Sequence, residues 1–191
     1  MAIKAIFFDF FGVISIPSQH LFFETAIPRY HQRHAEFEEL GRRHELGLIS
    51  TEQYLATIST ETGQSVQSCL KQMHSERKVN KPLLQYIEQK LRSRYRLAIF
   101  SNAGGDLSGY IDKDTLNKTF DDVIISAAIG AAKPDPQAFA IACQRLHVDP
   151  DEALLIDDIA ANCDGAKAAG WKAVLYKSNP QLFEDLHQAI D

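Results

Sequence analysis

Hydrophobic positions along this chain fall into two kinds of pattern. Five short runs, at residues 5–10, 97–101, 123–126, 153–157 and 172–176, are apolar without polar alternation, as are strands buried on both faces of a parallel sheet. Between the later runs lie stretches of helical length, at residues 80–94, about 135–146 and 160–169, with Pro82 and Pro136 near starts and Gly170 just past a stop. Asn179, followed by Pro180, starts a last helix over 179–190. Strands alternating with helices predict βαβ units and an α/β fold, a Rossmann-like, doubly wound parallel sheet. Residues 17–79 break the alternation. Phe22, Phe23, Ala26 and Tyr30 recur there at helical spacing, as do Tyr54, Leu55 and Ile58 after the cap Ser50, while Gly47 and Gly63 mark turns. The pattern predicts a small helical cap (residues 17–79) inserted after the first strand of a core built from residues 1–16 and 80–191. Such an insertion would sit over the strand's carboxyl end, where a lid belongs.

Composition narrows the function without naming it. A chain of 191 residues can bury one good core, or one core with a small accessory unit. The net charge of −5 argues against nucleic acid or an anionic membrane as the main partner. Cys69, Cys143 and Cys163 are widely separated and form no zinc-binding spacing, so a reducing, cytoplasmic setting is expected. Lys4 and Asp9 interrupt the apolar N-terminus, which reads as a first strand and not as a signal peptide. No stretch is long enough to span a bilayer.

Carboxylates sit where the strands end. Asp9 closes the run Ala5-Ile6-Phe7-Phe8, and Asp157-Asp158 closes Ala153-Leu154-Leu155-Ile156. In open α/β sheets ligands bind beyond the carboxyl ends of the strands. Three carboxylates gathered there repel one another unless a cation or a proton lies among them, and an all-oxygen set suits Mg²⁺. Gly12 permits a tight turn just after Asp9. Ser101-Asn102 ends a second strand. Lys133 precedes Pro134, which keeps the lysine out of the helix that follows and free to reach back to the strand edge as a fixed positive charge.

Taken in order, these segments resemble the four motifs of the haloacid dehalogenase-like hydrolase superfamily, which is built mainly around phosphatases. Ile6-Phe7-Phe8-Asp9 with Gly12-Val13 resembles the nucleophile motif, and Phe100-Ser101-Asn102 the second. Lys133-Pro134-Asp135-Pro136 resembles the third; Leu155-Ile156-Asp157-Asp158, with Asn162 and Gly165-Ala166-Lys167, resembles the fourth. Singly each is weak, but together and in order they are specific. Gly47-Leu48-Ile49-Ser50 is similar to a segment of the small cap in the branch that includes sugar-phosphate phosphatases and the N-terminal domain of soluble epoxide hydrolases. The resemblance implies a Mg²⁺-dependent hydrolase of a small phosphorylated metabolite, acting through an aspartyl-phosphate on Asp9. It implies that Ser101, with backbone N–H groups around Asn102, holds the phosphoryl oxygens, and that Lys133 neutralises charge. It further implies that Asp9, the Phe11 carbonyl and Asp158 hold the metal, with Asp157 assisting directly or through water and Asn162 orienting the loop or Lys133.

One position departs from the pattern. Most phosphatases of the family carry a second aspartate two residues after the nucleophile, which protonates the leaving group and then activates water; here the residue is Phe11. A general acid–base contributes about 10²–10⁴-fold in rate. Poor alkoxide leaving groups are therefore expected to suffer most, and anomeric sugar, acyl or aryl phosphates least. His20, at the entry to the predicted cap, is either a replacement for that acid or a solvated loop histidine. Two other readings stand beside the phosphatase. One is a metal-independent 2-haloacid dehalogenase, which also lacks the second aspartate but needs no Asp157-Asp158 pair. The other is a catalytically weak or inactive domain that binds phosphate or a partner. The oligomeric state is left open by the sequence.

Overall fold

The computed structural model describes residues 2–16, 21–105 and 107–190. Its strands are β1 (Ala5–Phe8), β2 (Ser15–Ile16), β3 (Lys78–Val79), β4 (Arg96–Ser101), β5 (Asp122–Ile125), β6 (Ala153–Asp157) and β7 (Lys172–Leu175). Its helices are α1 (Leu21–Ala26), α2 (His34–Glu45), α3 (Thr51–Thr62), α4 (Val66–Ser75), α5 (Lys81–Tyr86), α6 (Lys113–Thr119), α7 (Ser126–Ile129), α8 (Pro136–Leu146), α9 (Ala160–Ala168) and α10 (Asn179–Ile190). The five apolar runs form one parallel sheet in the order β5-β4-β1-β6-β7.

Successive side chains of a strand point to opposite faces, and here both faces are covered. Ile6, Phe8, Leu97, Ile99, Leu154 and Ile156 pack with Leu83, Ile87, Leu182 and Leu186 on one side. Phe7, Phe100 and Leu155 pack with Phe139, Ala142, Ala166 and Trp171 on the other. That double cover is why the runs show no polar alternation, and it confirms the doubly wound sheet. Trp171 lies in the core against Phe7, with ring centroids 4.5 Å apart. After β5 the chain crosses to the other side of β1 to form β6, so the order reverses around the carboxyl ends of β4, β1 and β6. In such sheets this is the switch point where ligands bind.

Between β2 and β3 lie α1 to α4, which carry an apolar cluster of their own built on Phe22, Ile27, Phe37, Leu55, Ile58, Cys69 and Met73. Ser50 caps α3 through a capping box with Gln53. Phe22, one of the residues at helical spacing in the sequence, is 1% exposed and belongs to this cluster. The pairing of β2 with β3, Ser15 opposite Val79 and Ile16 opposite Lys78, was not expected, because two residues are too few to show a period. Asn80 fixes this neck: its side chain donates to the Val13 carbonyl at 3.0 Å and its N–H to the Ile14 carbonyl at 2.8 Å. The helix expected over 80–94 is α5 running into a π-helical turn, Ile87–Leu91, where Arg92 N–H donates to the Ile87 carbonyl at 2.9 Å. The wider turn keeps both Ile87 and Leu91 in the core. Among the described residues no helix is long and apolar enough to cross a membrane, and the three cysteines are free and buried.

Candidate active site

Asp9 extends β1 by one residue, its N–H donating to the Ile156 carbonyl at 2.8 Å. The chain then turns back on itself, with Ser15 N–H on the Phe10 carbonyl at 2.7 Å. Gly12, at the tip, has φ +95°, and a Cβ there would collide with the Asp158 carboxylate. Only glycine lets this loop and Asp158 share the space.

Lys133 is brought in by Asn102. The Asn102 amide donates to the Lys133 carbonyl at 2.8 Å and accepts from the Lys133 N–H at 2.9 Å, clamping the residue to the end of β4. The Lys133–Pro134 peptide is cis, and Gly165 of α9 lets Pro134 pack close, since a Cβ there would lie 2.6 Å from the proline ring. The buried ammonium spends all three of its protons: on Asp9 Oδ1 at 2.8 Å, on Asp157 Oδ2 at 2.6 Å and on the Phe100 carbonyl at 2.6 Å. Burial alone would lower the Lys133 pKa, but Asp9 and Asp157 outweigh it and hold the group above its ordinary value. Burial pushes the Asp9 carboxyl up, to about 7, with Lys133 opposing and Asp157 and Asp158 adding to the rise.

Asp157 is fully engaged. Its Oδ1 accepts from the Ile159 N–H at 2.8 Å, its Oδ2 from Lys133, and the Asn162 amide lies 3.1 Å from both oxygens. Oxygens of Asp9, Asp157 and Asp158 lie within 4.8 Å of one another. One ammonium among three carboxylates leaves a formal excess of negative charge, and a hard dication fits a donor set of this kind. The Ser101 hydroxyl is buried at the adjacent strand end and, among the described residues, has no hydrogen-bond partner, which leaves a donor to spend on a ligand.

The sequence-predicted residues are thus gathered at one place, with Asp9, Lys133, Asp157 and Asp158 in mutual reach and Ser101 and Asn102 beside them. Phe11 turns its ring to Tyr110, with centroids 5.1 Å apart, and the Arg77 guanidinium lies 4.4 Å from the Phe11 ring centre. His20 lies outside the described residues. A cavity of about 620 Å³ opens above Asp9, walled by Phe11, Tyr54, Arg77 and Tyr110 and reaching Glu45. Arg77 and Glu45 were not singled out in the sequence. Arg77 carries no motif, and the one available signal for Glu45 was an acid just before a helix-ending glycine, Gly47.

Comparison with known proteins agrees with this fold. The bifunctional epoxide hydrolase 2 of Rattus norvegicus is 24% identical over 98% of this chain, although the chain spans 39% of that relative's length. A HAD family enzyme from Bacteroides thetaiotaomicron, solved in complex with magnesium and inorganic phosphate, superposes with a TM-score of 0.76 at 22% identity, over 95% of this chain and 99% of that one. A 2-haloacid dehalogenase from Pseudomonas syringae pv. Tomato superposes with a TM-score of 0.65 at 20% identity, over 94% and 87% of the two chains. The family model for haloacid dehalogenase-like hydrolases matches residues 3–170. With motifs, sheet order and family model in agreement, the chain belongs to the haloacid dehalogenase-like hydrolase family.

Proposed function

We propose that this hydrolase is a Mg²⁺-dependent phosphatase of a small phosphorylated metabolite, with α1 to α4 serving as its cap. The observation that carries the reading is the buried chain Asp9–Lys133–Asp157, with Asp158 held against Gly12. Asp9 and Asp158, with the Phe11 carbonyl, would hold the ion. Asp157, whose oxygens are engaged by Lys133, Ile159 and Asn162, would act on it at one remove. Bound there, Mg²⁺ would supply charge neutralisation for the phosphoryl group. The neighbour solved with magnesium and inorganic phosphate supports that choice.

The protein's own groups supply the rest. Asp9 attacks phosphorus through the oxygen that Lys133 does not bind, forming an aspartyl-phosphate while the ester oxygen departs. Lys133 favours the ionised form of Asp9 and steadies charge on the transferring group. The Ser101 hydroxyl donates to a phosphoryl oxygen. Water then attacks phosphorus and returns Asp9 to its starting form. The small cavity suits a metabolite more than a macromolecule.

Phosphate release from an aryl phosphate and an anomeric sugar phosphate tests the reading. Turnover should need Mg²⁺, stop with EDTA, and fall at least 10³-fold in Asp9→Asn, since removing a covalent nucleophile removes the pathway. Turnover that persists in Asp9→Asn sinks it. A second reading, a 2-haloacid dehalogenase, draws on Phe11 and on the dehalogenase neighbour. It predicts halide release from 2-chloropropionate in the presence of EDTA, which the phosphatase does not.

A further inference from the structure

Phe11 leaves the proposed phosphatase without the acid two residues after Asp9, yet one carboxylate outside the Asp9–Asp157–Asp158 cluster faces the same space. Glu45, the last residue of α2, lines the cavity that contains Asp9, Phe11 and Asn102, and also the adjoining one that contains Lys133. Its backbone is tied to the sheet edge. The Ser126 hydroxyl donates to the Glu45 carbonyl at 2.6 Å and accepts from the Ala103 N–H at 2.9 Å, so a single side chain links the end of α2 to the residue after Ser101-Asn102. Two residues on, Gly47 lies so close to α7 that a Cβ there would stand 2.9 Å from the Ala127 carbonyl.

For its own helix Glu45 is badly placed. A carboxylate at the carbonyl end opposes the helix dipole. It is half-buried, and among the described residues no hydrogen bond or ion pair holds its side chain. Locally unfavourable choices of this kind are expected at functional sites. Burial pushes its carboxyl up to about 7, with Lys133 opposing, a range in which an acid both gives and takes protons near neutrality. Other groups in the cavity wall are less suited, and His74 is packed edge-on against the Tyr110 ring, with centroids 4.5 Å apart. Arg77 stays protonated, burial pushes the Tyr54 and Tyr110 hydroxyls up, and His44 is stacked flat on Tyr54 with its Nε2 against Thr51 Oγ1 at 3.1 Å.

We propose that Glu45 is the general acid–base of this site, doing from the helical insertion what an aspartate at position 11 would do from the loop after β1. The assignment rests on the phosphatase reading. As Asp9 attacks and the phosphorus–ester oxygen bond breaks, the departing oxygen keeps the bonding pair and takes the proton of Glu45. The Glu45 carboxylate then removes a proton from the water whose oxygen attacks the aspartyl-phosphate. The phosphorus–Asp9 bond breaks with its electrons returning to Asp9, and Glu45 ends protonated as it began.

The test compares wild type, Glu45→Gln, Glu45→Asp and Asp9→Asn with Mg²⁺ on an alkyl phosphate, phenethyl phosphate, and on an aryl phosphate, p-nitrophenyl phosphate. Glu45→Gln should lower kcat on the alkyl ester by about 10²–10⁴-fold with KM little changed. On the aryl ester it should give a nitrophenolate burst equal to the enzyme concentration and then slow turnover, because only the second step still needs the base. Glu45→Asp should recover part of the loss. A Glu45→Gln enzyme that turns over the alkyl ester at the wild-type rate overturns the proposal, as does an equal loss on both esters without a burst. Activity that survives Asp9→Asn, or a wild type silent on both esters, removes the phosphatase reading itself and Glu45's role with it.

Discussion

Lys133 is a buried cation whose whole purpose is local: each of its protons meets an oxygen, two of them from carboxylates. A buried ion pair of this kind is seldom a net gain in stability, so its presence speaks for the site. Gly12 is as constrained as the lysine. In Gly12→Ala the methyl group enters the space of the Asp158 carboxylate at a backbone angle that L-residues avoid. The variant should lose about 1–3 kcal/mol of stability and bind Mg²⁺ at least tenfold more weakly, measured by melting and by calorimetric titration. Wild-type affinity in Gly12→Ala would show that Asp158 is not a ligand.

Glu45 gives a pH-dependent prediction whose sign follows from its raised carboxyl. Relative to the unfolded value near 4.5, a group lifted to about 7 adds stability that is fully present below the lower value and lost as pH rises through the upper one. Glu45→Gln removes that loss. The variant should therefore melt level with the wild type at pH 4 and a few degrees above it at pH 8. The same difference at both pH values would contradict the buried, raised carboxyl.

At the scale of elements, the parts legible in the sequence were those long enough to show either an unbroken apolar run or a helical period. The runs that became β1, β4 and β6 were readable because Ala5–Phe8 and its neighbours are buried on both faces, and the site was readable because Asp9, Ser101 and Asp157-Asp158 stand at their ends. Lys133 was readable through Pro134. What stayed hidden depends on distance along the chain. The two-residue β3 makes sense only opposite β2, and the π-helical turn at Ile87–Leu91 only against the sheet. Glu45 reaches the site through a hydrogen bond to Ser126, 81 residues away in sequence. No local pattern records such a pairing.

On the scale of the molecule, the sheet and the helical insertion keep separate apolar clusters. They meet across the cavity and are joined by the β2–β3 neck. Elements with little shared core open independently of the rest. Hydrogen exchange should therefore find that α3 and α4 open at a lower free energy than β1 and β4. Mg²⁺ with inorganic phosphate should slow exchange at the end of α2 and around residues 103–105 by tenfold or more, as a ligand bound between two parts holds both. Equal slowing across the whole chain would point instead to global stabilisation without closure.

Trp171 gives these two parts different visibility. It is the only tryptophan in the chain and it is packed on Phe7, two residues before Asp9, on the sheet side of the molecule. Its emission is an optical gauge of the sheet that the insertion cannot disturb directly. A fluorescence trace and a far-ultraviolet dichroism trace of the same sample therefore follow different fractions of the chain, and any gap between them measures how far insertion and sheet act as one body.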